Sequence, residues 1–265
     1  YDIDTPVTLA RLSSEECEYL RADQIPQFDL ILSFTGGPTL RRLEREYGAR
    51  RAAALYCSVD PEDYRPQGVA QDVDLGYMGT YSADRQPRLH ALLNEPARVL
   101  PSRSFLIVGA QYPSRLEWPR NVRRIAHLAP ARHALFYSRQ RYTLNITRED
   151  MRLAGYSPSV RLFEAAACGA PIISDEWAGI EEVLTPGEEV LIARSGSDVV
   201  EYLAALSETE RARVAHAARE RVCARHSGAH RATELLELLG DARLAGRRRC
   251  SSAAVGRVLG RAVSG

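Results

Sequence analysis

Residues 145–175, NITREDMRLAGYSPSVRLFEAAACGAPIISD, decide the fold. The β-branched run 142–147 (YTLNIT) predicts a strand ending at its start. A loop of charged residues and Gly155 follows, and Ser157-Pro158-Ser159 opens a helix over 160–168, since serine is a sound N-cap and proline a sound first-turn residue. Free N–H groups and the positive dipole end at such a helix start make an anion site, and a diphosphate fits there. Glu164 falls about a turn and a half into that helix, amid Leu162, Phe163, Ala166 and Ala167. A carboxylate in this company asks for a partner: it can accept both hydroxyl protons of a ribose, or it is an ordinary solvated helix residue. The small residues 165–169 let the helix pack closely on a sheet, whose next buried strand is 171–174 (PIIS).

Working outward, apolar runs alternate with segments of helical period. A strand at 74–81 (DLGYMGTY) ends in a Gly-Thr turn, and a helix over 86–100 carries Leu89, Leu92, Leu93 and Val99. Then come a strand at 104–109 (SFLIVG), a weaker strand at 121–127 and a helix at 131–141. Beyond residue 175 the pattern predicts a short helix at 180–184, a strand at 189–193 and helices from Ser197, Glu208 and about Ala229. Such order implies an α/β fold: a Rossmann-like parallel sheet with right-handed crossovers and helices on both faces. Ligands bind such sheets at the carboxyl ends of the strands, which singles out the loops after Tyr81, Gly109, His127, Thr147 and Ser174.

The first stretch differs. A strand at 28–34, the turn Thr35-Gly36-Gly37-Pro38, a helix at 39–47 and a strand at 52–57 make one and a half βα units, too little to close a sheet. The expected organisation is a partial N-terminal α/β domain with linker over 1–66, a Rossmann-like domain over 67–240 and a basic, mobile tail over 241–265.

The 265-residue chain is 45% hydrophobic and 26% charged, enough to bury a core, and its net charge of +1 gives no chain-wide pull toward nucleic acid or acidic membrane. The five cysteines form no metal-ligand or disulfide-like spacing, so a cytoplasmic setting is the simplest expectation. Cys168, in a run of small residues, reads as a buried inert thiol rather than a nucleophile. No metal site is expected from the six histidines, because Ser227-Gly228 interrupts the one pair four apart, His226 and His230. No stretch has the length for an integral membrane segment. No strand is followed by GxGxxG, which disfavours dehydrogenase chemistry.

The segment SPSVRLFEAAACGAPIISDEWAGIEEVLTPGEEVLIA resembles the donor-binding region of the GT-B glycosyltransferases of group 1 and family 4, in particular the branch similar to the spore-maturation protein CgeB. CSVDPEDYRP is similar to the family's interdomain link, and GYMGTYSADRQP to its opening strand and Gly loop. The resemblance implies a metal-independent, hexosyltransferase-like enzyme that moves a sugar from a nucleoside diphosphate sugar, UDP-sugar favoured, to an unidentified acceptor, with no separate cofactor. By resemblance, Glu164 holds the ribose; Ser157 and Ser159 hold the diphosphate; Gly79 and Thr80 allow its close approach; and Arg85 supplies charge. Arg148 and Arg161 are phosphate or leaving-group candidates, Arg161 equally an exposed helix residue. The base is expected near Tyr112 or Leu128. Tyr156 stands eight positions before Glu164, where many retaining members keep a sugar-contacting glutamate.

The acceptor side is assigned to the first domain. Asp4, paired with Asp2 beside a Pro-Val turn, is the candidate base there, against the plainer role of capping the helix that starts near Pro6. Two other functions fit the same residues: a non-catalytic sugar-nucleotide-binding module, and a GT-B-type sugar-nucleotide epimerase.

Overall fold

A computed structural model describes residues 1–242. They form two compact units, one of Tyr1–Leu55 with the chain from Ala229 onward, the other of Tyr56–Gly228.

The first unit pairs strands β1 (Ile31–Ser33) and β2 (Ala52–Ala54) in parallel, with helices α1 (Thr5–Ser13) and α2 (Pro38–Arg45). Its buried apolar core comprises Leu9, Ile25, Leu43 and Ala49. The helical segment 229–242 groups with this unit, where Arg51 donates to the Leu238 carbonyl at 3.4 Å and pairs with Asp241 at 3.2 Å. Conversely, the stretch expected as a linker joins the second unit: the buried Val59 donates its amide to the His226 carbonyl at 3.1 Å, and its carbonyl accepts from Gly228 at 3.1 Å. The units therefore divide at 55 and 228, where the sequence pattern suggested 66 and 240. Pairing between residues so far apart leaves no local signature. Most of the tail expected over 241–265 lies outside the described residues.

In the second unit six strands form one parallel sheet: β3 (Val73–Met78), β4 (Phe105–Val108), β5 (Val122–Ile125), β6 (Gln140–Asn145), β7 (Ile172–Ser174) and β8 (Leu191–Ile192). Their spatial order is β5-β4-β3-β6-β7-β8. This is the doubly wound Rossmann order, whose direction of winding reverses between β3 and β6, so the crevice for a ligand opens beyond the carboxyl ends of those two strands. The strands are apolar because both faces are covered. In β4, Leu106 and Val108 join one buried cluster with α5 (His133–Ser138), α7 (Val160–Ala167) and α9 (Glu208–Arg225). Phe105 and Ile107 join the other, with Leu89, Leu92 and Leu93 and with α8 (Gly196–Ala205). Each fully buried side chain of this size stabilises the fold by roughly 2 kcal/mol.

Two local details differ from the sequence pattern. The helix expected over 86–100 comprises α3 (Gln86–Leu89), a π-helical turn (His90–Asn94) and α4 (Glu95–Val99). Pro96 lacks the amide that would bond the Leu92 carbonyl, and the ladder widens there. The charged loop after β6 contains a short helix, α6 (Glu149–Ala154), whose first amide, Glu149, donates to Asp84 Oδ2 at 2.9 Å.

Candidate functional site

The carboxyl ends of β3, β6 and β7 converge on one polar cluster. Asn145, the last residue of β6, is fully buried; its Oδ1 accepts from Arg161 Nη1 at 2.6 Å and from Ser159 Oγ at 3.0 Å, and its Nδ2 donates to Ser174 Oγ at 2.9 Å. Arg161 Nε donates to the Met78 carbonyl at the end of β3 at 2.7 Å, and its guanidinium lies 5.0 Å over the Tyr77 ring. At 8% exposure Arg161 is no surface residue: it ties α7 to both strands flanking the switch point. A buried guanidinium needs such partners, because leaving one charged donor unpaired costs several kcal/mol.

Ser159 is the N-cap of α7, and Pro158 precedes the cap instead of occupying the first turn. Its hydroxyl turns to Asn145, so among the described residues no side chain caps the first-turn amides of this helix. Ser157 is 3% exposed and its hydroxyl donates to Met151 Sδ at 3.2 Å. Tyr156 has φ of 51°, and its amide donates to the Ala178 carbonyl at 2.6 Å. Its ring lies over Gly179, where a Cβ would stand 2.4 Å from Tyr156 Cδ1, so only glycine fits. The approach to α7 is thereby pinned to the loop after β7.

Glu164 is half-buried, and Tyr137 donates its hydroxyl to Glu164 Oε2 at 2.8 Å. Burial, and then the Glu164 charge, push the Tyr137 phenol well above its ordinary range and raise that of Tyr64 as well. Both therefore stay protonated beside Glu164. Tyr64 Oη also lies 3.4 Å from His133 Nδ1, whose Nε2 is 3.3 Å from the Leu128 carbonyl. Side-chain contacts thus run from the loop after β5, which carries Leu128, to Glu164. The neighbouring Cys168 thiol, 3% exposed, is pushed up to about 12 by burial and is inert.

On the other side of the switch point, Gly79 and Thr80 follow β3 directly. The Gly79 amide donates to the Val108 carbonyl at 2.8 Å, and its carbonyl accepts from Tyr112 Oη at 3.1 Å. Tyr112 is 9% exposed and packs edge-on against Tyr81 and Trp118; its hydroxyl and ring support the Gly79 turn. Arg85 donates through Nη2 to the Thr80 carbonyl at 2.9 Å, while its buried Nε has no hydrogen-bond partner among the described residues. Arg148 occupies the N-cap position of α6, and its charge, like that of Arg85, acts on Asp84. Asp4 lies in the first unit as the N-cap residue of α1; its side chain does not cap that helix, and its amide donates to Asp2 Oδ1 at 3.0 Å.

Sequence reasoning passed over Asp175. Completely buried after β7, it accepts from the Thr147 amide at 3.2 Å through both oxygens and from Thr147 Oγ1 at 2.9 Å. It thus fixes the loop that leaves β6. Burial pushes its carboxyl up to about 6, against the lowering effect of the Thr147 bonds and of Arg88 and Arg161. A folded pKa above the unfolded value of about 4 favours the fold below pH about 4, and that contribution is lost as pH rises through about 6. The difference is worth about 3 kcal/mol. Asp175→Asn is expected to melt higher than the parent at pH 8, with the gap closing as pH falls from 6 to 4. Parallel melting profiles for the two proteins across that range would contradict it.

The glycosyl transferase-like family model matches residues 85–237. The HepE protein of Anabaena, crystallised in complex with UDP and glucose, aligns over 91% of this chain and 70% of its own, with TM-score 0.70 and 15% identity. Sucrose-phosphate synthase from Thermosynechococcus elongatus aligns over 89% of this chain with TM-score 0.66 and 16% identity; the chain spans 62% of that enzyme's length. S. aureus TarM, in a variant crystallised with Fondaparinux, alpha-GlcNAc-glycerol and UDP, aligns over 85% of this chain and 46% of its own, with TM-score 0.65 and 10% identity. No curated protein matches the sequence. The fold of the chain is that of these GT-B-type structures.

Proposed function

Because the chain belongs to the glycosyl transferase-like family, we propose that its second unit binds a nucleoside diphosphate sugar and that the protein transfers the sugar to an acceptor. The observation that carries this reading is Glu164: a half-buried carboxylate on the helix that starts at the switch point, with one oxygen held by the Tyr137 hydroxyl and lone pairs left for two ribose hydroxyls. The uncapped start of α7 faces the role of diphosphate site, which its dipole favours. Across the crevice Gly79 and Thr80 present backbone, and the partnerless Nε of Arg85 is a donor a phosphate would satisfy.

Charge on the departing diphosphate is assigned to Arg85, Arg148 and Arg161 rather than to a metal. Arg85 and Arg161 both act on Tyr112, and Arg85 and Arg148 on Asp84, so the three share neighbours. By the family resemblance we assign Leu128 to the base and Tyr156 to the sugar. For Asp4 as base the support is its sequence setting alone. UDP is the favoured nucleotide, since HepE and TarM were crystallised with it. The CgeB-like branch rests on the resemblance of residues 157–193, and a cytoplasmic setting on the spread of the cysteines. Among the described residues no helix is long and apolar enough to cross a membrane.

A thermal-shift series with UDP, GDP, dTDP and their sugars tests the proposal, since a ligand bound only by the folded state raises its melting temperature. Stabilisation by one nucleoside diphosphate, lost in Glu164→Ala, is the expected result. No shift with any of them would remove the donor-binding reading.

A further inference from the structure

The net charge of +1 conceals a concentrated patch. Residues 113–132 (PSRLEWPRNVRRIAHLAPAR) hold five arginines against one carboxylate, Glu117. They form the loops around β5, the edge strand of the six-stranded sheet, whose outer side pairs with no other strand among the described residues. Arg115, Arg120, Arg123, Arg124 and Arg132 are all exposed, and no ion pair within 4 Å holds any of them among the described residues, although the charge of Arg123 acts on Asp72. Arg124 lies over Tyr112 at 5.0 Å and Trp118 at 5.2 Å, on the other face of β5 from Arg123.

The patch is not only charged. Alternation along β5 puts Arg123 and Ile125 on one face. On that face a groove is lined by Ile125, Leu128, Leu135 and Phe136 between Arg132 and Arg139. Ile125 is 39% exposed although it is the last residue of a sheet strand. A soluble polyanion would need the arginines and gain nothing from an apolar floor. A bilayer with anionic headgroups matches both, taking the apolar side chains at the acyl boundary and the guanidinium groups at the phosphates.

We propose that this edge of the second unit, from the loop before β5 to the start of α5, docks on an anionic membrane surface. The surface shares Leu128 with the donor-site reading and uses none of that reading's other residues. Each arginine near such a surface contributes a factor of roughly five in partitioning, so losing three costs about a hundredfold. Added salt weakens the attachment.

The test sediments the full chain with vesicles of phosphatidylcholine alone and with vesicles in which part of it is replaced by phosphatidylglycerol. The expected result is co-sedimentation with the anionic vesicles only, reduced by more than about a hundredfold in Arg120→Glu/Arg123→Glu/Arg132→Glu, which reverses each charge as well as removing it. Ile125→Ser, which leaves every charge in place, is expected to weaken binding severalfold and guards against a misfolded triple variant, as does an unchanged melting temperature. Failure to bind anionic vesicles, equal binding to both kinds, or undiminished binding by the triple variant overturns the proposal. Capture on immobilised heparin without vesicle binding would also overturn it, assigning the surface to a soluble polyanion.

Discussion

Gly109→Ala is expected to destabilise the second unit by about 3 kcal/mol or more, the upper part of the range for overpacking. A Cβ at this position stands 1.9 Å from the Gly79 carbonyl oxygen and 2.6 Å from its carbon, so the obstacle is backbone and no side chain can swing away. Neither chain is free to retreat. The Gly109 amide donates to the Ile125 carbonyl at 2.9 Å, the Gly79 amide to the Val108 carbonyl at 2.8 Å, and Tyr112 holds the Gly79 carbonyl from the far side at 3.1 Å. Relief means breaking bonds at the ends of β3 and β4 together. Thermal unfolding should show a drop of about 10 °C, and the nucleotide-induced shift should vanish because Gly79 and Thr80 have moved. A variant melting within a degree or so of the parent would show that the two loops are looser than this geometry allows.

Glu164→Ala is expected to weaken nucleoside diphosphate binding by about a hundredfold. Hydrogen bonds to a charged acceptor are worth about 1.5–3 kcal/mol each, and two ribose hydroxyls lose theirs. The same change strands the buried Tyr137 hydroxyl, which costs about 1–3 kcal/mol of stability. Glu164→Gln separates the two effects: the amide oxygen still accepts from Tyr137, so stability returns while the charge that grips the ribose does not. Calorimetric titration with UDP at one temperature, combined with melting curves of the three proteins, distinguishes loss of site from loss of fold. Parental affinity in both variants would place the ribose elsewhere.

The parallel sheet was legible because its signals are local. Runs such as Phe105–Val108 are continuous and apolar, and the helices between them repeat every three or four residues. The start of α7 was equally plain from Ser159, although its hydroxyl bonds Asn145 instead of capping the helix. What escaped depends on partners remote in sequence. Helix α6 is held at its first turn by Asp84, a residue at the other end of the βα series, so its charged sequence looked like loop. The linker was grouped with the first domain because the pairing that ties it to the second, Val59 with Ser227, lies far along the chain.

The site followed the same division. Glu164 stood out as an acidic residue among apolar neighbours, and its burial beside Tyr137 and Tyr64 accounts for that pattern. Arg161 gave no such signal, because an arginine at the start of a helix is ordinary on the surface. Its burial follows from Asn145 and Met78, at the ends of two strands it must join. Tyr112 suggested a base contact by its place in a loop; the support that its hydroxyl gives to Gly79 had no signal in the sequence. Asp175 offered only a carboxylate after a strand; its part in fixing Thr147 is visible in three dimensions alone.

The most direct measurement compares UDP with its 2′-deoxy analogue by calorimetry in the parent and in Glu164→Ala. If the carboxylate receives the ribose hydroxyls, the parent prefers UDP by about tenfold and the variant binds both nucleotides with the same reduced affinity. Undiminished preference for the ribonucleotide in the variant would contradict the assignment of Glu164, and with it the proposed placement of the sugar donor.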